Sequence, residues 1–263
     1  MPYLVAVLAG LLVGSFLNVC IYRLPRDLSV IRPRSFCPAC GKPIAWYDNI
    51  PLLSYLLLKG RCRACGARIP LRYPLVELLT AALFVLAVVV FGPTLKAVKL
   101  MILAAATTGL IFSDLEERIL PDELTLGGAA AGLIMAALTP MDSMLVLFVA
   151  PLRWGARWLS LGEAVLGAVV TAGLLFFMGA LYEKVRKREG MGLGDVKMAA
   201  MLGAFLGLWG ALQALLIGSL LGSMLGLVYI KATGKKASEY ALPFGSFLGV
   251  GALAVAYLKL API

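Results

Sequence analysis

The sequence predicts an all-α, polytopic membrane protein with about eight transmembrane helices, and three observations carry that prediction. Of its 263 residues 61% are hydrophobic, and the mean hydropathy of +0.94 is above what a soluble domain reaches while covering its surface with polar groups. Charged residues make up 14% and fall between long apolar runs rather than within them, as expected when the bilayer is the solvent. The runs themselves recur at lengths near the roughly 20 residues that a helix needs to cross about 30 Å of hydrocarbon.

Taken in order, the first run covers 3–22. It lacks a basic n-region and a small-residue cleavage site, and Arg23 and Arg26 follow it, so it reads as a retained helix rather than a signal peptide. Runs at 74–91 and 96–113 follow, the latter closing on Asp114. The fourth, 123–139, is short and begins after Pro121, where Asp122 fits a helix-capping role. Met144 to Trp158 is apolar but carries Pro151, Arg153 and Arg157, which suits an interfacial or re-entrant piece. The remaining runs are 162–182, a short one at 195–209 that opens on Asp195, 211–230 and 242–261.

Charge orients these segments. Of the 24 Lys and Arg residues, 19 lie in 23–73, 114–122, 183–194 and 231–241 or at Lys197. The other side holds Lys96, Lys99, Arg153, Arg157 and Lys259, so the positive-inside rule makes 23–73 a cytoplasmic loop and turns both chain ends outward. Topology thus accounts for the net charge of +10 without nucleic acid as a partner. The chain contains no histidine, which excludes Ser-His-Asp and Cys-His nucleophilic systems and His-ligated metalloprotease sites. Acid-base chemistry must fall to carboxylates, Lys, Tyr or Cys.

Within the large loop, Cys37-Pro-Ala-Cys40-Gly and Cys62-Arg-Ala-Cys65-Gly form two C-x-x-C knuckles. Each is followed by a Gly that permits a tight turn, the pattern of a tetrahedral four-thiolate zinc site. Two disulfides are the alternative, and they would need an oxidising compartment; a redox C-x-x-C lacks a thioredoxin-like setting. Four thiolates leave zinc no open position, so Cys37, Cys40, Cys62 and Cys65 are expected to staple the loop. Cys20, inside the first run, reads as a small buried hydrophobe.

Two acids carry the functional signal. Asp114 ends the third run and Asp195 opens the sixth, which puts both at the cytoplasmic face, and a carboxylate at the edge of hydrocarbon normally faces a partner, a cavity or a substrate path. Two carboxylates sharing a site cannot both ionise cheaply, which supplies a general base and a general acid for activating water against an amide. Helix dipoles suggest the charge on Asp195 and the proton on Asp114. Gly190, Gly192 and Gly194 before Asp195 permit close approach of an extended peptide, although Gly-x-Gly-Asp also fits a flexible loop with a capping Asp195. Glu116, Glu117 and Glu123 are expected at the solvated interface. A divalent metal on the carboxylates is a rival reading with few oxygen ligands in view. A small transporter is another, though the halves show no internal repeat and the acids lie at one face instead of the midplane.

The chain resembles the type IV prepilin peptidases, bifunctional leader peptidases and N-methyltransferases. The likeness runs along most of its length: Gly14-Ser-Phe-Leu-Asn-Val-Cys-Ile-Tyr-Arg-Leu-Pro25, both knuckles, Asn49-Ile-Pro-Leu-Leu-Ser54, Arg72-Tyr-Pro-Leu-Val-Glu77, Asp114 to Asp122, and Gly192-Leu-Gly-Asp195 with Lys197. The resemblance implies an intramembrane aspartic peptidase with Asp114 and Asp195 as its pair and Gly192, Gly194 and Lys197 against the substrate. Such enzymes cut the basic leader from prepilins or pseudopilins after a Gly at the cytoplasmic face of the bacterial inner membrane. They then methylate the new N-terminal residue with S-adenosylmethionine. It also implies a division into a methyltransferase region, 1–91, and a peptidase core, 95–263. No Gly-rich nucleotide loop after a strand is visible, so this is not a Rossmann methyltransferase by pattern. The resemblance implies that the N-terminal third, including the cysteine loop, holds methyl transfer, since shorter peptidase relatives lacking that loop are expected not to methylate. Asn18, Arg23, Asn49 and Glu77, polar and beside the membrane face, are the methyl donor's candidate contacts; for Arg23 and Glu77 a snorkelling anchor and a buried helix pair are equal alternatives.

Overall fold

Prolines and glycines punctuate the chain into helices where the apolar runs predict them. In a computed structural model, residues 1–141, 155–187, 191–233 and 242–258 are described. They divide into two compact units, Met1–Ala97 and Val98–Ile263.

In the first unit α1, Pro2–Arg23, starts on a proline, whose missing N–H is no loss in a first helical turn, and α3, Arg72–Phe91, ends on Gly92 with φ +65°. The two pack through glycines: a Cβ on Gly14 would come within 2.7 Å of Glu77 Cα, so no larger residue allows this approach. Asn18 fixes the register by donating from Nδ2 to Gly14 O at 3.3 Å and Tyr73 O at 3.0 Å. Between the helices lie 3-10 turns at Leu24–Arg26 and Trp46–Asn49 and the short α2, Leu53–Leu57.

The second unit holds most of α4, Leu95–Glu117, then α5, Asp122–Leu138, α6, Ala156–Arg186, α7, Leu193–Thr233, and α8, Phe244–Tyr257. At 41 residues α7 would extend about 60 Å as one rod, twice the hydrocarbon thickness. It is interrupted at Gly207, whose φ of +68° is left-handed, into 193–206 and 208–233. The two runs expected at 195–209 and 211–230 are therefore halves of one broken helix, with the break at Gly207.

α6 clamps the first half of α7. A Cβ on Gly167 would lie 2.7 Å from Gly203 O, and Thr171 Oγ1 lies 3.0 Å from Ala199 O. Backbones this close let helices without a hydrophobic driving force between them gain dispersion energy. At the other end of α6, Ser160 Oγ donates to Ala136 O at 2.7 Å and accepts from Met141 N at 3.0 Å.

Among the described residues the regular structure is helical apart from isolated bridges in the cysteine loop, and each of the eight expected apolar runs carries helix. Five helices are long and apolar enough to cross a membrane: Pro2–Arg26, Arg72–Phe91, Leu95–Glu117, Ala156–Arg186 and Leu193–Tyr229. The helices Asp122–Leu138 and Phe244–Tyr257, at 17 and 14 residues, are shorter. The interfacial reading of Met144 to Trp158 falls largely outside the described residues, as does Gly190.

Candidate functional site

Asp114 sits in the last turn of α4 and is buried, with 6% of its surface exposed. The helix ends just beyond it: Arg118 takes a left-handed φ of +58° and returns its N–H to Asp114 O at 3.1 Å, while Ser113 Oγ donates to Ile119 O at 2.7 Å. Asp195 lies in the first turn of α7, its N–H donating to Gly192 O at 3.1 Å. The carboxylates are within electrostatic reach of each other. Both line a pocket of about 270 Å³ whose wall also includes Arg118, Leu120, Gly192, Gly194 and Lys197.

The glycines make this meeting possible. A Cβ on Gly194 would stand 3.0 Å from Leu120 Cβ, and one on Gly245 would stand 2.9 Å from Leu120 Cδ1. Leu120, from the turn after α4, is thus wedged between the start of α7 and the start of α8. Gly192 faces Asp195 more loosely, its Cβ position being 3.6 Å from Oδ2. Lys197 binds Asp122 through Oδ1 at 2.7 Å and Oδ2 at 2.8 Å. That corrects the capping role expected for Asp122: Pro121 is the N-cap of α5, no side chain caps it, and Asp122 is the first-turn partner of Lys197.

Ser246, in the first turn of α8, was not anticipated. Its backbone N–H and its hydroxyl both reach Asp114 Oδ2, at 2.7 and 2.8 Å, and the hydroxyl also lies 3.1 Å from Ile111 O. The available signal was a serine just after Pro243 and Gly245 inside an apolar run, since a polar group at membrane depth needs a partner. The dipole argument that placed the proton on Asp114 counted α4 alone. The N-terminus of α8 also faces Asp114, so helix dipoles no longer separate the two acids.

In the first unit the knuckles are near-copies. Cys37 N donates to Lys42 O at 2.9 Å and Gly41 N to Cys37 O at 2.8 Å; Cys62 N donates to Ala67 O at 2.8 Å and Gly66 N to Cys62 O at 2.9 Å. Gly41 and Gly66 have φ of +69° and +71°, as the tight turn demands. The four sulfurs lie within 4.8 Å of one another, close to the roughly 3.8 Å edge of a tetrahedron with 2.3 Å metal–sulfur bonds. Cys37 and Cys65 sulfurs are 3.9 Å apart, far from a covalent bridge of about 2.05 Å. The cluster can therefore hold a metal ion. The amides of Cys65 and Ala64 pull the Cys62 thiol down to about 7. The Ala67 amide favours the Cys65 thiolate too, but burial and the neighbouring sulfurs outweigh it and push that thiol up to about 11.

Of the remaining predicted residues, Asn18, Arg23 and Glu77 are buried and Asn49 is exposed. Arg23 is committed to the loop: its guanidinium donates to Ser29 O and Pro33 O at 2.8 Å and Arg34 O at 3.3 Å, and faces the Phe36 ring. Glu77 Oε2 accepts the N–H of Leu52 at 2.8 Å, holding the Asn49 to Ser54 turn onto α3. Asn18 Oδ1 is buried and makes no hydrogen bond among the described residues.

The fold and site define a polytopic membrane protein with a carboxylate pair at two helix ends and a four-thiolate loop. Comparison with known proteins gives the family. The bacterial peptidase A24 N-terminal domain matches residues 8–91, and the type IV leader peptidase family matches 100–227. A Prepilin leader peptidase/N-methyltransferase of Myxococcus xanthus is 46% identical over 199 residues, covering 75% of this chain and 54% of the relative. One from Klebsiella pneumoniae is 41% identical, covering 76% and 82%. A Type 4 prepilin-like proteins leader peptide-processing enzyme of Escherichia coli O78:H11 is 38% identical, covering 98% and 94%. No solved structure matches. The chain belongs to the type IV leader peptidase family.

Proposed function

We propose that this protein cleaves the leader from type IV prepilins or pseudopilins and then N-methylates the new N-terminus. The observation that carries this reading is the pairing of Asp114 and Asp195 across one pocket, beside backbone at Gly192 loose enough for an extended peptide to approach. The family and the names of its relatives agree with it. One carboxylate takes a proton from water as the water attacks the scissile carbonyl. The other donates its proton as the tetrahedral species collapses and the amine leaves. No covalent intermediate is required. Lys197, held by Asp122 at the pocket wall, lies against the substrate.

The ion in the four-thiolate cluster is zinc, in a structural role, because the donor set is soft, tetrahedral and closed. S-adenosylmethionine supplies an electrophilic methyl group to the freed amine. Two features of the first unit fit it: the unpartnered buried acceptor Asn18 Oδ1 and the buried carboxylate of Glu77. Arg23 contributes by fixing the loop, and Asn49 stands on the turn that Glu77 anchors. Charge distribution orients the enzyme in the bacterial inner membrane with the dyad and zinc loop cytoplasmic and both ends outward. Mass spectrometry of a prepilin incubated with the purified protein in lipid tests this. Loss of the leader, plus one methyl only when S-adenosylmethionine is added, is expected; an intact prepilin contradicts it.

A further inference from the structure

The hydroxyl of Ser246 contacts Asp114 directly, and its geometry exceeds what packing needs. Ser246 occupies the third position of α8, where the N–H has no acceptor within its own helix. That orphan donor is spent on Asp114 Oδ2 at 2.7 Å, and the Ser246 hydroxyl joins it on the same oxygen at 2.8 Å. Ser246 is 4% exposed and Asp114 6%, so water does not compete for these bonds. When the hydroxyl donates to Oδ2, the shorter of its two contacts, that oxygen receives two donors from one residue, an arrangement suited to a carboxylate oxygen or to the carbonyl oxygen of the protonated acid.

We propose that Ser246 is a positioning residue that holds Asp114 Oδ2 as a permanent acceptor and so confines the catalytic proton of Asp114 to Oδ1. This rests on the assignment of Asp114 to the peptidase dyad. The carboxyl plane is thereby fixed before substrate arrives, and Oδ1 alone exchanges the proton with water and substrate through the cycle. Whichever aspartate takes the proton from water as the water oxygen bonds to the scissile carbon and the carbonyl pair moves to oxygen, the proton of Asp114 enters or leaves at Oδ1, and Ser246 neither gains nor loses a proton. The alternative use of the hydroxyl is to donate to Ile111 O at 3.1 Å, which joins α8 to α4 and leaves Oγ to accept a proton placed on Oδ2 instead.

The two roles separate in the enzyme reconstituted in lipid, assayed on a prepilin. Ser246→Ala keeps the backbone donor and deletes the hydroxyl. The positioning role predicts that kcat falls about tenfold, the worth of one hydrogen bond to a charged group, with KM within about twofold. Ser246→Thr retains the hydroxyl and restores kcat. A Ser246→Ala enzyme with wild-type kcat and only a lowered melting temperature overturns the inference and leaves the tie to Ile111. Thr failing to rescue while the chain remains folded overturns it as well. Retention of cleavage by Asp114→Asn in the same assay would instead remove the peptidase reading on which the inference stands.

Discussion

Glu163 Oε1 accepts the backbone N–H of Leu208 at 3.1 Å across the break in α7, beside the left-handed Gly207. A break exposes the first amides of the following half-helix, and in a bilayer nothing but protein can satisfy them. Glu163, 5% exposed on α6, supplies the acceptor. The other oxygen, Oε2, has no partner among the described residues, so the carboxylate is held by one bond. Glu163→Ala should destabilise the protein by about 1–3 kcal/mol, the cost of leaving that amide unsatisfied. Glu163→Gln, which keeps an acceptor oxygen, should stay within about 1 kcal/mol of wild type. Denaturation in detergent micelles checks both; equal losses would show that charge, not acceptance, matters.

The wedge at Leu120 gives a coupled prediction. Gly194→Ala puts a methyl 3.0 Å from Leu120 Cβ and should displace the start of α7, lowering cleavage more than tenfold with helical content unchanged. Leu120→Ala removes the obstruction, so the double variant should recover part of that loss. A double-mutant cycle on cleavage rates measures this, and strict additivity would contradict the contact.

How far these features could be read in advance depends on sequence separation. The cysteine knuckles and their glycines are local patterns, and the dyad is visible because acids are costly where apolar runs end. Ser246 and Glu163 were not legible. Their partners lie 132 and 45 residues away, and neither a serine in an apolar run nor a glutamate near a helix start names the backbone amide or carboxylate it will meet. Asp122 shows the reverse error: a local capping signal was overridden by a long-range ion pair with Lys197. The break at Gly207 fell inside an expected segment because a glycine in a membrane helix is common and marks a break only when a capping acceptor arrives from elsewhere.

Metal content tests the four-thiolate loop. The purified protein should contain about one zinc per chain, and Cys62→Ser should lower that content severalfold and make the 24–71 loop sensitive to protease. Metal analysis and limited proteolysis read the two effects. A loop that stays resistant after metal removal would show that zinc is not its staple.

The Asp48–Arg63 pair gives a pH dependence. Arg63 Nε and Nη2 clasp the Asp48 carboxylate at 2.8 and 2.7 Å, and these hydrogen bonds hold its pKa below 3.8. The folded value is depressed, so the stabilisation is complete above the unfolded value near 3.8 and is lost only as pH falls through the lower folded one. At pH 7 Asp48→Asn should speed amide hydrogen exchange around Trp46–Asn49 and Arg63, while the variant and wild type should converge once pH has fallen below the depressed folded value. Identical exchange at pH 7 would show the pair contributes nothing to the loop, as many exposed ion pairs do not.

Methyl transfer should separate from cleavage. Glu77→Gln weakens the tie to Leu52 and removes a buried carboxyl group from the first unit, far in sequence from the dyad. Expected are a normal leader cut and a loss of methylated product, read on one prepilin digest; loss of both activities would contradict the division of labour.

The most direct test is the mass of a prepilin incubated with wild type, Asp114→Asn and Asp195→Asn in lipid. Each substitution should slow leader removal by roughly 100- to 10,000-fold, the usual contribution of a general acid or base, while the folded protein retains its zinc. Cleavage at the wild-type rate by either variant would contradict the dyad.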